Sequence, residues 1–161
     1  GGQCGTEAYR RRGAGLIKKS IDSVFCHRIK PMIVVTGDFN DEPHDNSLRK
    51  VMEVKKTSKA SVIMDSEMYL LSDGLKTKSG VEGTYFYKER WNRLDHVLVN
   101  GRLLKSDSSF RLGSQGCSIL DFSWLLKRDS KGRYVPRRTF LGTFYQGGIS
   151  DHLPLLTQFE F

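Results

Sequence analysis

Pro31, followed by Met32-Ile33-Val34-Val35-Thr36, narrows the fold more than any other stretch of this sequence. Proline lacks a backbone N–H and disfavours helix at the residue before it, so no upstream helix runs through this point. The five residues behind it are apolar or β-branched without alternation, which is the composition of a strand covered on both faces. Upstream, from Thr6 to about Arg28, Ala8, Ala14, Leu16, Ile17, Ile21, Val24 and Phe25 recur at helical spacing, with Arg10, Arg11, Arg12, Lys18 and Lys19 mainly on the other side. Thr6 is placed to cap that helix. A helix delivered into a doubly buried strand predicts a layered α/β fold.

The strand leads into the polar loop Gly37-Asp38-Phe39-Asn40-Asp41-Glu42-Pro43, and a second, shorter helix starts at Asn46 and runs to Met52. Lys55 to Lys59 reads as a solvated loop. Beyond Asp73 the pattern becomes all β. Thr84 to Tyr87 and Leu94 to Val99 have strand composition, Lys88 to Arg93 connects them as a hairpin, and Asn100-Gly101 ends the second strand. Ile119 to Phe122 and Thr139 to Leu141 are further strand candidates, with Lys127 to Arg133 a charged loop. The Gly147-Gly148 pair marks long loops above a sheet. The chain ends on Leu153 to Phe161, the expected last buried strand.

At 161 residues there is room for one domain with a real core and not for two. No apolar run approaches the roughly 18 residues of a membrane helix. Cys4, Cys26 and Cys117 are odd in number and form no CxxC, which argues against a zinc site or a closed disulfide set and leaves buried or idle thiols. The net charge of +8 leans toward an anionic partner: nucleic acid, a phospholipid headgroup or a phosphorylated small molecule.

Acids and amides gather where strands become loops, and strand ends are where open sheets place ligand sites. Asp38 and Asn40 follow the first strand, and two readings stand for them: Asx turn residues, or a site. Asp95 interrupts Leu94, Val97, Leu98 and Val99, and a carboxylate in a buried strand is costly unless paired. His96 beside it faces the opposite side, so the partner comes from elsewhere, and His152, in Ser150-Asp151-His152, is the natural one. An imidazole held by an aspartate has a defined tautomer and raised basicity. Asp38 and Asp151 offer hard oxygen ligands for a divalent cation such as Mg²⁺, with Mn²⁺ the alternative, and Asn40 a neutral donor to a phosphoryl oxygen. The constellation reads as metal-assisted phosphoester hydrolysis.

Three stretches carry a resemblance to a known family. "VVTGDFND" at Val34 to Asp41, "GTYFYKERWNRLDHVLV" at Gly83 to Val99 and "GGISDHLPL" at Gly147 to Leu155 resemble, in order, motifs of the endonuclease/exonuclease/phosphatase superfamily. The resemblance implies a DNase I-like four-layer α/β sandwich, two packed and mainly antiparallel sheets flanked by helices. It implies that Asp38 handles the attacking water or leaving-group oxygen, that Asn40 contacts phosphate, that Asp95 orients the catalytic His152, and that Asp151 is an acidic residue of the metal site.

Members of that family are longer, and their first half supplies an Asn, a metal-binding Glu and another His that nothing before Val34 resembles. The resemblance therefore implies that residues 1–161 are one partial domain, its C-terminal portion, with the N-terminal half of the same domain as a missing partner. The substrate class it implies spans DNA, RNA, inositol phosphates and sphingomyelin, and the basic balance favours nucleic acid. A catalytically incomplete fragment, or a non-catalytic binding module that keeps the fold, is the competing reading; degraded motifs would favour it, and the three motifs are intact.

Arg138 has two readings, an exposed loop arginine or a substrate-binding group within reach of the Ser150-Asp151-His152 loop. Tyr85 and Trp91 are packing residues unless they stack on substrate. Trp124 is expected in the core, and Glu42 and His44 are expected to be loop and cap residues.

Overall fold

The computed structural model describes residues 3–57 and 62–161. A turn of 3-10 helix (Gln3–Thr6) leads into α1 (Glu7–His27), and β1 (Val34–Asp38) follows Pro31 as expected. The second helix is a single π-helical turn, Ser47–Val51. β1 heads a four-stranded sheet of order β1-β6-β3-β2, with β6 Asp95–Asn100, β3 Met68–Leu70 and β2 Lys55–Lys56. β1 and β3 pair antiparallel with β6, and β2 lies parallel to β3. The remaining strands form antiparallel pairs: β4 (Tyr85–Tyr87) with β5 (Arg90–Asn92), β7 (Arg111–Ile119) with β12 (Leu155–Glu160), β8 (Leu126–Arg128) with β9 (Tyr134–Pro136), and β10 (Phe140–Leu141) with β11 (Phe144–Tyr145). The class is mixed α/β with several sheets and few helices.

Ala14, Ile17, Ile21 and Phe25 of α1 fall at helical spacing and press onto Leu48, Met52, Met68, Leu70 and Leu98. Full burial of a side chain such as Ile21, Leu48 or Met52 stabilises the fold by about 1.5–3 kcal/mol. Arg10 lies on that same stripe rather than opposite it. It sits there because Asp41, 1% exposed, accepts its Nε–H at 2.7 Å. Thr6 stands at the N-cap without capping the first turn through its side chain; its hydroxyl accepts from Arg10. A second core of Val81, Ile119, Leu125, Leu126 and Leu153 lies under the β7–β12 and β8–β9 pairs.

Several expectations change at the level of the strand. β1 is not covered on both faces: Ile33 and Val35 pack on the first core, while Val34 is 43% exposed. The reason is its place at the sheet edge, with α1 on one face only. β12 likewise alternates half-buried and exposed residues. The hairpin of Tyr85–Tyr87 closes on Arg90–Asn92 through the two residues Lys88 and Glu89, both at positive φ, and β6 belongs to the other sheet. Lys55 and Lys56 are strand, paired with Glu67 and Asp73, and Lys59 of that stretch lies outside the described residues. Of the expected strand Ile119–Phe122 only Ile119 is in β7, and the expected loop Lys127–Arg133 supplies the end of β8 and its turn.

Trp124 is 54% exposed and stacks on Phe122 instead of entering the core. Cys26 is exposed, Cys117 half-buried, and both are free thiols. No helix among the described residues is long and apolar enough to cross a membrane.

Candidate active site

The antiparallel register of β1 and β6 sets Asp38 directly opposite Asp95 at the end of the sheet. Two carboxylates facing each other across a strand pair repel, so the arrangement holds only with compensating groups. Asp95 has two. His152 Nδ1 lies 2.7 Å from its Oδ2, and the Thr84 hydroxyl donates to the same oxygen. Asp38 has Asn40, whose backbone N–H donates to Oδ1 at 2.8 Å and whose side-chain amide donates to Oδ2 at 3.0 Å. The Asx-turn reading of this pair is thus realised in the geometry, with Asn40 left-handed at φ 51°; it does not compete with a site, because the turn is what presents the Asp38 carboxylate at the strand end.

His152 is delivered by the backbone. It forms an isolated bridge with Tyr85, Leu153 N–H donates to Thr84 O at 2.8 Å, and His152 N–H donates to Ser150 Oγ at 3.0 Å. Its ring rests tilted against the Tyr85 ring, centroids 4.8 Å apart. Since a carboxylate only accepts, Nδ1 carries the proton toward Asp95, and in the neutral ring Nε2 keeps its lone pair. The bond to Asp95 raises the imidazole pKa above its ordinary value; burial works against it, and the charges of Asp95, Asp38 and Asp151 add to the rise. Asp95 and His152 border a hollow of ≈ 420 Å³ walled mainly by apolar groups, among them Trp124, Ile149 and Leu155.

Asp38, Asp95 and His152 are brought together, with one ligand atom from each within 4.8 Å of the others. Asp151 is exposed and outside that set; it acts on the site through its charge. Asp95 and His152 already satisfy each other, so the carboxylate left open to a cation is the exposed Asp38. Its oxygens, like those of the exposed Asp151, are of the hard type that a divalent cation would take. Arg138 donates to Phe86 O and lays its guanidinium 5.1 Å from the Tyr85 centroid, one ring removed from His152. Trp91 packs against Phe86 and the second core. Glu42 accepts the Arg93 N–H and His44 is exposed, as expected of loop residues.

Four residues support the site in roles the sequence does not assign them. Thr84 opens the "TYFY" stretch, where a hydroxyl ahead of an aromatic strand was the available sign. Arg10 and Ser47 bind the Asp41 carboxylate, Ser47 Oγ at 2.5 Å. His96, fully buried on the face opposite Asp95, lies between Ser72 and the Asp41 carbonyl, 2.9 and 2.8 Å away.

A family model described as Endonuclease/Exonuclease/phosphatase family matches residues 1–160. Among solved structures, an endonuclease/exonuclease/phosphatase family protein from Bacteroides thetaiotaomicron shares the fold with a TM-score of 0.51 and 18% identity, over 95% of this chain and 44% of that one. A mannosyl-6-phosphatase from Bacteroides thetaiotaomicron VPI-5482 does so with a TM-score of 0.51 and 18% identity, over 94% of this chain and 46% of that one. The chain spans less than half the length of these two structures. No match is found among curated proteins.

Proposed function

This chain belongs to the endonuclease/exonuclease/phosphatase family, and from that premise we propose that it is built to hydrolyse phosphoesters, with His152 as general base and Asp95 as the group that holds it. The observation that carries the reading is the 2.7 Å bond between His152 and Asp95, made across 57 residues of sequence. Nε2 of the neutral ring takes a proton from the attacking water as its oxygen bonds to phosphorus; the bond to the leaving oxygen breaks, and that oxygen receives the proton. The Asp95 carboxylate stabilises the imidazolium that forms in between. Asp38 orients the water or handles the leaving oxygen, and Asn40 donates to the phosphoryl group. Asp38, with Asp151 beside the site, would hold Mg²⁺ or Mn²⁺, which when bound supplies Lewis-acid stabilisation of the developing charge.

The net charge of +8 supports nucleic acid as substrate and Arg138 as a phosphate-binding group at the rim. A sugar phosphomonoester is the second reading, favoured by the fold shared with the mannosyl-6-phosphatase. The test is a Mg²⁺- and Mn²⁺-dependence assay of the full-length protein on plasmid DNA, RNA, inositol phosphates, mannose 6-phosphate and sphingomyelin. Cleavage of one class is expected, and His152→Ala should lower its kcat about 10²–10⁴-fold with KM little changed. Retained turnover would remove His152 as the base. No cleavage with either metal would leave a binding module that keeps the fold.

A further inference from the structure

His96 is a buried, titratable side chain that the proposed chemistry leaves idle, and two of its contacts, to Asp41 and Phe39, lead to the loop that presents Asp38 and Asn40. It stands on β6 opposite Gly37, one residue from Asp95, on the other face of the sheet. Its two ring nitrogens have different partners. A backbone carbonyl only accepts, so Nε2–H donates to Asp41 O at 2.8 Å; Nδ1 is then the acceptor, and the Ser72 hydroxyl donates to it at 2.9 Å. The tautomer follows from these partners. Phe39, inside the same loop, meets the imidazole edge-on with centroids 5.5 Å apart.

The loop needs such an anchor. Asn40 holds φ 51°, a left-handed conformation that costs a non-glycine residue free energy and persists where surrounding contacts over-determine it. Its own bonds run back to Asp38, so they tie the two residues together without tying them to the body of the protein. Ahead of Asn40 the main chain is tied by Phe39 N–H, which donates to Leu94 O at 2.8 Å; behind it the tie is at Asp41. Asp41 is held at its carboxylate by Arg10 and Ser47 and at its carbonyl by His96. The carboxylate bonds fix a side chain, whereas the bond from His96 fixes the main chain of the loop.

We propose that His96 is a positioning residue: through Asp41 it locks the far end of the loop, at residues 40–41, which Phe39 N–H holds at the near end, and so aims the Asp38 carboxylate and the Asn40 amide at the reacting group. The claim on loop order stands on contacts alone, and its effect on catalysis rests on the phosphoester reading. His96→Phe keeps a ring and removes the donor; His96→Gln keeps an N–H donor at the distance of Nε2.

In the full-length protein, ¹⁵N relaxation order parameters of the Asn40 and Asp41 amides should fall from about 0.85 to below about 0.6 in His96→Phe and stay near wild type in His96→Gln. Strand β6 should remain ordered in both. An unchanged loop in His96→Phe, or a His96→Gln that loosens equally, would overturn the proposal. Should His96→Phe fail to fold, Ser72→Ala decides in its place: it frees the ring at Nδ1, the order parameters should drop, and an unmoved loop overturns. With Mg²⁺ and bis(p-nitrophenyl) phosphate, His96→Phe should lower kcat about tenfold or more with KM within about twofold, and His96→Gln should restore it. A wild type that cleaves no phosphoester defeats the phosphoester reading, while the relaxation data still decide the role of His96 in the loop.

Discussion

At the scale of single residues, the bond between Asp95 and His152 makes the site sensitive to pH in a defined direction. His152 has its pKa raised in the folded protein, chiefly by Asp95. A base works only when neutral, so activity should be lost as pH falls through that raised value. The stability linkage runs the other way: the contribution of this pair is fully present below the unfolded histidine pKa and is lost as pH rises through the folded one. Asp95→Asn removes the carboxylate and offers an amide N–H to Nδ1, which favours the tautomer with Nε2 protonated. A pH–rate profile should then show kcat reduced by about 10²–10⁴-fold and the ascending limb displaced to lower pH; an unmoved limb would take Asp95 out of this role. That Asp95 needed a partner was legible in the sequence, because a lone carboxylate in an apolar strand is costly. That Thr84 shares the same oxygen was not, since a hydroxyl ahead of an aromatic strand marks a position without naming its partner.

At the scale of elements, the loops that carry Asp38 and His152 are held by backbone approach as much as by side chains. Gly148 is the clearest case: a Cβ there would lie 1.7 Å from Arg137 O and 2.4 Å from Arg138 O, and its N–H donates to Arg138 O at 3.1 Å. Gly148→Ala must therefore push the segment before Ser150-Asp151-His152 off the β9–β10 connection. A lower Tm by several degrees and a fall in kcat larger than the stability loss explains are expected, read by thermal melting and initial rates at a temperature where the variant is fully folded. The Gly147-Gly148 pair was visible as a loop signal, but its reason, contact with the carbonyls of Arg137 and Arg138, is tertiary. The hairpin of β4 and β5 shows the converse. Lys88 and Glu89 turn the chain at positive φ without the Asn-Gly or Asp-Gly sequence that announces such a turn, so the sequence alone points past β5 to β6 as the hairpin partner.

At the scale of the whole molecule, much apolar surface is open to solvent. Phe140, Leu141, Phe144 and Tyr145 are exposed on the β10–β11 pair, as are Phe122, Trp124 and Ile149 around the site, and Val34 and Leu156 on β1 and β12. Large contiguous apolar surface favours association, so the 161-residue chain alone is expected to self-associate: sedimentation velocity should show weight-average mass rising with concentration. A monodisperse monomer with one cooperative melt would contradict this. The chain's local physics already dictated the helix before Pro31, the strand behind it, and acids at strand ends, because helical periodicity, the missing proline N–H and the cost of burying charge operate over a few residues. Tertiary structure alone decided that β1 is an edge strand, that Arg10 turns inward to Asp41, that Asp38 faces Asp95, and that His96 holds the loop between them. Each of these depends on strand register and on which face finds a covering element, and those are set by residues 30 to 60 positions apart, whose free energy of contact leaves no periodic trace in either segment.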